Sequence, residues 1–136
     1  MIKKIGFIVY LFLIFGSFVA QAEEEAESVN IPFYFPMEPD IVTNYAALGF
    51  KLSYVRVAVS VMVSTANDLL VIEHHEPLLR AAFVALLGSE PEHKVKSSAG
   101  REAIRKECLR IANSLIESET GYSIIEDILF TKYIFN

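Results

Sequence analysis

The sequence predicts an α+β domain, a small antiparallel or mixed sheet packed with two helices and preceded by an N-terminal export segment. Three observations predict it. Residues Phe50 to Ser64 alternate with a period of two, two later segments repeat apolar residues at helical spacing, and the chain closes on the aromatic and aliphatic run Ile124 to Phe135. The order is strand, helix, helix, strand.

The first 22 residues stand apart from the fold. Lys3 and Lys4 precede the unbroken apolar run Ile5 to Phe15, and small residues follow through Ala20-Gln21-Ala22. Positive charge holds the amino end on the cytoplasmic side while the apolar run enters the bilayer, and Ala20 and Ala22 suit a signal peptidase cutting before Glu23. The second reading is an uncleaved anchor, because Ile5 to Ala22 carries no charge and is close to the shortest helix spanning roughly 30 Å of hydrocarbon. A cytoplasmic tail of four residues and the A-x-A signature favour cleavage. Both readings put residues 23 onward outside the cytoplasm.

Residues 23–31 form an acidic linker, with four glutamates between Glu23 and Ser28 that leave nothing apolar to bury. The domain proper runs over 32–136. Pro32, Pro36 and Pro39 flank the aromatic stretch Phe33-Tyr34-Phe35. Proline has no ladder donor, so this segment is an edge strand or an extended arm.

From Phe50 to Ser64 the valines at 55, 57, 59, 61 and 63 share one face, and Tyr54, Arg56, Ala58, Ser60 and Met62 share the other. That is a strand with one fully apolar face. Thr65 with Asp68 then signals a helix through Leu87, whose stripe is Leu69, Ile72, Leu79, Phe83 and Leu86. Pro77 predicts a kink near Glu73 within a single helix.

Gly88 to Pro91 is a stop, and Ser97 or Ser98 caps a second helix through about Glu119 with the stripe Ile104, Cys108, Ile111 and Leu115. Glu102 with Lys106 and Glu107 with Arg110 pair along it, worth only a few tenths of a kcal/mol each. Gly121 suits the left-handed residue beyond its end. Ile124 to Phe135 is then a strand beside Val55 to Val63.

Charge excludes one class of partner. Without Lys3 and Lys4 the 12 basic residues fall to 10 against 17 acidic ones, a net charge of −7. Such a domain does not seek nucleic acid, and the sequence holds no run of Lys or Arg for polybasic lipid docking. A domain of this size buries roughly two-thirds of its unfolded surface, enough for a core without disulfides. The single Cys108 agrees.

Candidate chemistry is sparse. Glu73-His74-His75-Glu76 fails as a metal site, because consecutive helical residues point about 100° apart and His93 sits in a loop. The expectation there is a solvated face with His75 half buried. Cys108 lies on an apolar stripe far from the start of its helix, the place of an inert buried thiol. No metal, cofactor or catalytic set is expected. Tyr54, Tyr122, Phe130, Tyr133 and Phe135 gather near strand ends, where they serve as core or as an intersubunit face.

The blocks Tyr54 to Val63, Glu73 to Arg80, Gly100 to Arg105 and Ile128 to Phe135, taken in order and spacing, resemble the FliL family of bacterial flagellar basal-body-associated proteins. The resemblance runs from about Tyr34 to the last residue. Arg80 matches a His-x-Pro-x-x-Arg pattern and Arg101 an incomplete Glu-Gly-Arg-like one, with Ala99 where the family has Glu. Each arginine is expected in a structural ion pair or cap.

The resemblance implies a stomatin-like fold and a non-enzymatic motor accessory on the periplasmic side of the inner membrane. Such a protein joins the basal body and stator complex as a homo-oligomeric ring and modulates rotation, motility and chemotaxis. Relatives usually keep the N-terminal segment as an anchor. Tyr54, Arg80, Tyr133 and Phe135 are the expected self-association or partner face. The alternative is a periplasmic small-ligand or lipid-binding domain, which requires a sizeable apolar cavity.

Overall fold

The computed structural model describes residues 30–49 and 51–136. The leader, its cleavage residues Ala20, Ala22 and Glu23, and most of the acidic linker lie outside the described residues. Three strands and three helices follow in the order β1 (Phe33–Asn44), β2 (Tyr54–Val63), α1 (Ala66–Ser89), α2 (Glu92–Lys96), α3 (Ser98–Thr120) and β3 (Ile125–Phe135). The fold is α+β. Its sheet is antiparallel throughout, in the order β1-β2-β3, so the alternating strand lies in the middle.

The alternation of β2 explains the layering. Val55, Val57, Val59, Val61 and Val63 are all at most 3% exposed, and against them pack Ile72, Leu79 and Phe83 of α1 and Ile104 and Cys108 of α3. Fully burying one such aliphatic side chain contributes about 1.5–3 kcal/mol. The helices therefore cover one face of the sheet and leave the other open.

Of the two expectations for the proline-rich segment, the structure adopts the edge strand. Pro36 pairs with Ser60, and the register breaks between Met37 and Ile41, where Pro39 sits in a bulge. An edge position is the place where a missing N–H costs no ladder bond. Strand β2 starts at Tyr54 instead of Phe50, because Lys51 to Ser53 belong to the connection from β1.

Helix α1 runs unbroken through Pro77, capped by Thr65, whose Oγ1 accepts from the Asp68 N–H at 3.1 Å. Helix α3 is capped by Ser97, whose Oγ accepts from the Gly100 N–H at 2.9 Å. It ends where Gly121, at φ 94°, donates its N–H to the Glu117 carbonyl at 2.8 Å.

Three details differ from the sequence reading. The buried stripe of α3 is Gly100, Ile104, Cys108, Ala112 and Ile116, a steady step of four that leaves Ile111 and Leu115 only partly covered. Glu102 pairs with Arg105 at 2.6 Å and not with Lys106, because Arg105 also reaches Asp127 on β3 and is held in place by both. His93 lies on the short helix α2 instead of in a loop.

Candidate functional site

The expected partner-face residues fall into three places. Tyr133 and Phe135, two apart on β3, share the helix side of the sheet with ring centroids 6.1 Å apart. The Tyr133 hydroxyl donates to the Val95 carbonyl at 2.8 Å, which ties β3 to α2, and the Arg101 guanidinium stands 5.8 Å from the Tyr133 ring centre. Arg101 therefore stacks on an aromatic ring where an ion pair or cap was expected.

Tyr54 alternates with the buried Val55, so it projects from the opposite, open face. Its backbone N–H donates to Asn136 Oδ1 at 2.9 Å. Arg80 belongs to neither group. Its Nε meets Glu76 at 2.6 Å and its Nη1 donates to the Pro39 carbonyl at 2.8 Å, which clamps α1 to the bulge of β1, two strands from Tyr133. The ion pair expected for Arg80 is present.

The open face of the sheet mixes exposed apolar side chains with Arg56, which lies between Val42 and Ile134. Tyr34 and Val42 on β1, Tyr54 on β2 and Ile134 on β3 are each 41–51% exposed there. One ion pair crosses it, with Lys132 Nζ 3.2 Å from Asp40 Oδ2 over the small Ala58. A sheet face of this composition is the kind of surface that proteins use for association.

His75 Nδ1 lies 2.8 Å from the Val71 carbonyl, and since a carbonyl only accepts, that nitrogen carries the proton. The His74 and His75 rings stand edge to face at 84°, and among the described residues no group of three or more His, Cys, Asp or Glu could hold a metal ion. Cys108 is buried, and burial pushes its thiol up to about 12. Such a thiol is a poor nucleophile. A depression by Glu38, Asp40 and Arg56 is open to solvent, and a concavity of about 190 Å³ by Lys96, Arg101 and Phe135 is small and part polar.

The sequence model of the family described as flagellar basal body-associated protein FliL matches residues 34–135. The chain belongs to the FliL family. The matched span begins one residue inside β1 and ends with the last residue of β3, so this FliL domain is the whole fold described above. A flagellar protein FliL of Aquifex aeolicus (strain VF5) is 24% identical over 105 residues, a match covering 77% of this chain. The same match spans 62% of that FliL protein's own length.

Several residues that hold this FliL fold were not singled out from sequence. Asn113 of α3 donates to the Ile125 carbonyl at 2.9 Å and accepts the Ile125 N–H at 3.1 Å, so its amide acts as a ladder partner for the start of β3. Arg105 donates to the Ile128 carbonyl at 2.9 Å besides its two carboxylates. Leu48 and Leu52, in the connection between β1 and β2, stand almost wholly in solvent. In the sequence they stand on either side of Gly49-Phe50-Lys51.

Proposed function

We propose that this protein is a non-enzymatic accessory of the flagellar motor. It sits on the periplasmic side of the inner membrane, associates with the basal body and stator units, and modulates flagellar rotation, motility and chemotaxis. The observation that carries this reading is the family match over the entire folded domain. The A. aeolicus relative, itself a flagellar protein FliL, supports it.

The physical logic is mechanical. A single-layer sheet backed by helices on one side leaves a partly apolar face for neighbours, and copies arranged as a ring around a membrane complex bear load without chemistry. Tyr54 lies on that face, while Arg80 braces the body behind it and Tyr133 and Phe135 stiffen the junction of β3 with α2. The leader supplies export, or a tether if it is retained. Among the described residues no helix is long and apolar enough to cross a membrane.

Deleting the encoding gene in the host bacterium tests the proposal. Swimming and swarming are expected to fall while secretion of unrelated exported proteins is unchanged. Undiminished motility in the deletion strain would refute it.

A further inference from the structure

Among the described residues, Leu48 and Leu52 are the two most exposed large apolar side chains, at 92% and 85%. They sit at the tip of the β1–β2 connection, where Gly49 turns the chain at φ +88° with no atom within 4 Å of where its Cβ would stand. A protein partner would need a pocket shaped to receive these two protruding side chains. A bilayer makes no such demand, since its acyl region accepts any apolar shape.

The surroundings of the tip carry the second observation. The connection is zipped to the α1–α2 junction, with Ala46 N–H donating to the Glu90 carbonyl at 3.0 Å and Glu92 N–H to the Ala46 carbonyl at 3.1 Å. This brings Lys51 of the loop toward Glu92, which Lys96 also holds, and Lys96 and Arg101 line one concavity. Glu90 and Glu92 of this region are each held by a lysine, at 2.9 and 2.8 Å. Lys51 and Arg101 make no ion pair among the described residues. In sequence Lys51, Lys96 and Arg101 are scattered over fifty positions of an acidic chain, whereas the fold brings them to the end of the domain where the β1–β2 connection meets α2.

We infer that the β1–β2 connection is a membrane-docking loop, in which Leu48 and Leu52 enter the acyl region of an anionic bilayer and Lys51, Lys96 and Arg101 contact its headgroups. Cations around an apolar tip complement an anionic lipid surface, and the two attractions add. The loop closes one end of a hairpin whose twelve-residue strand spans about 36 Å. This inference does not depend on the motor reading.

The test uses the full chain, which contains no tryptophan, so a single Leu48→Trp is its only indole reporter. The protein is mixed with vesicles of phosphatidylglycerol and phosphatidylcholine bearing brominated acyl chains. Leu48→Trp emission is expected to shift to the blue and be quenched, while Leu70→Trp on the exposed side of α1 keeps its emission in water. Lys51→Gln in the Leu48→Trp background is expected to lower the docked-to-undocked ratio about fivefold, the effect of one cation near an anionic surface. Three results would overturn the inference: Leu48→Trp unquenched in every vesicle, equal quenching of both reporters, or a blue shift that follows protein concentration without lipid and so marks a second copy over the loop.

Discussion

Gly100, in the first turn of α3, presses against the backbone of Lys94 in the middle of α2, so closely that an added Cβ would stand 1.8 Å from the Lys94 carbonyl oxygen. The same Cβ would lie 2.6 Å from Ser97 Oγ, the cap of the helix. Two helices thus meet through one hydrogen atom.

Gly100→Ala sets two effects against each other. Helix propensity favours alanine by about 1 kcal/mol, and overpacking against rigid backbone costs about 1–3 kcal/mol, more where no side chain can yield. The obstacle here is backbone, so packing wins. The substitution is expected to lower stability by about 2 kcal/mol in urea titration. A gain in stability would show that α2 shifts freely away from α3.

This contact also marks where the sequence stopped being legible. Local signals were readable because they rest on neighbours in the chain: the valine alternation of β2, the Thr65 and Ser97 caps, and the left-handed Gly121. The five-residue α2 shows no periodicity, being shorter than two turns. The buried stripe of α3 passes through Gly100 and Ala112, small residues that a count of large apolar side chains overlooks, and so reaches Ile116 instead of Leu115.

The candidate site was legible in part for the same reason. Alternation alone puts Tyr133 and Phe135 together on β3, but only the register, with Val55 opposite Phe135, shows that Tyr54 faces the other way. Arg80, expected in an ion pair or cap, pairs with Glu76 one turn before it, but its bond to Pro39 depends on a long-range bulge. The stacking of Arg101 on Tyr133 is likewise tertiary.

Asn113→Ala is expected to remove both bonds to Ile125 and leave a part-buried N–H and carbonyl without partners. The cost is about 1–3 kcal/mol. Asn113→Asp does not rescue it, because a carboxylate accepts from the N–H but repels the Ile125 carbonyl. Thermal unfolding measures the loss, and hydrogen exchange at the Ile125 amide is expected to quicken ahead of that in β2.

Alkaline pH gives a third prediction. Burial raises both the Cys108 thiol, ordinarily near 9.0, and the Tyr133 phenol, ordinarily near 10.0, to about 12 in the folded protein. The unfolded chain therefore releases these protons first, so stability is fully present below the ordinary values and is lost as pH rises toward the folded ones. The urea midpoint is expected to fall from about pH 9 upward, and Tyr133→Phe is expected to flatten the fall above pH 10. A midpoint independent of pH over this range would contradict the burial of both groups. Cys108 is expected to react with a thiol reagent only at the rate of unfolding.

The most direct measurement of the central claim is where the protein resides in the cell. The chain, fused to a fluorophore that matures outside the cytoplasm, is imaged in cells with and without assembled basal bodies. The account predicts foci at the flagellar bases that vanish when the basal body is missing. Uniform fluorescence around the envelope, the same in both strains, would contradict it.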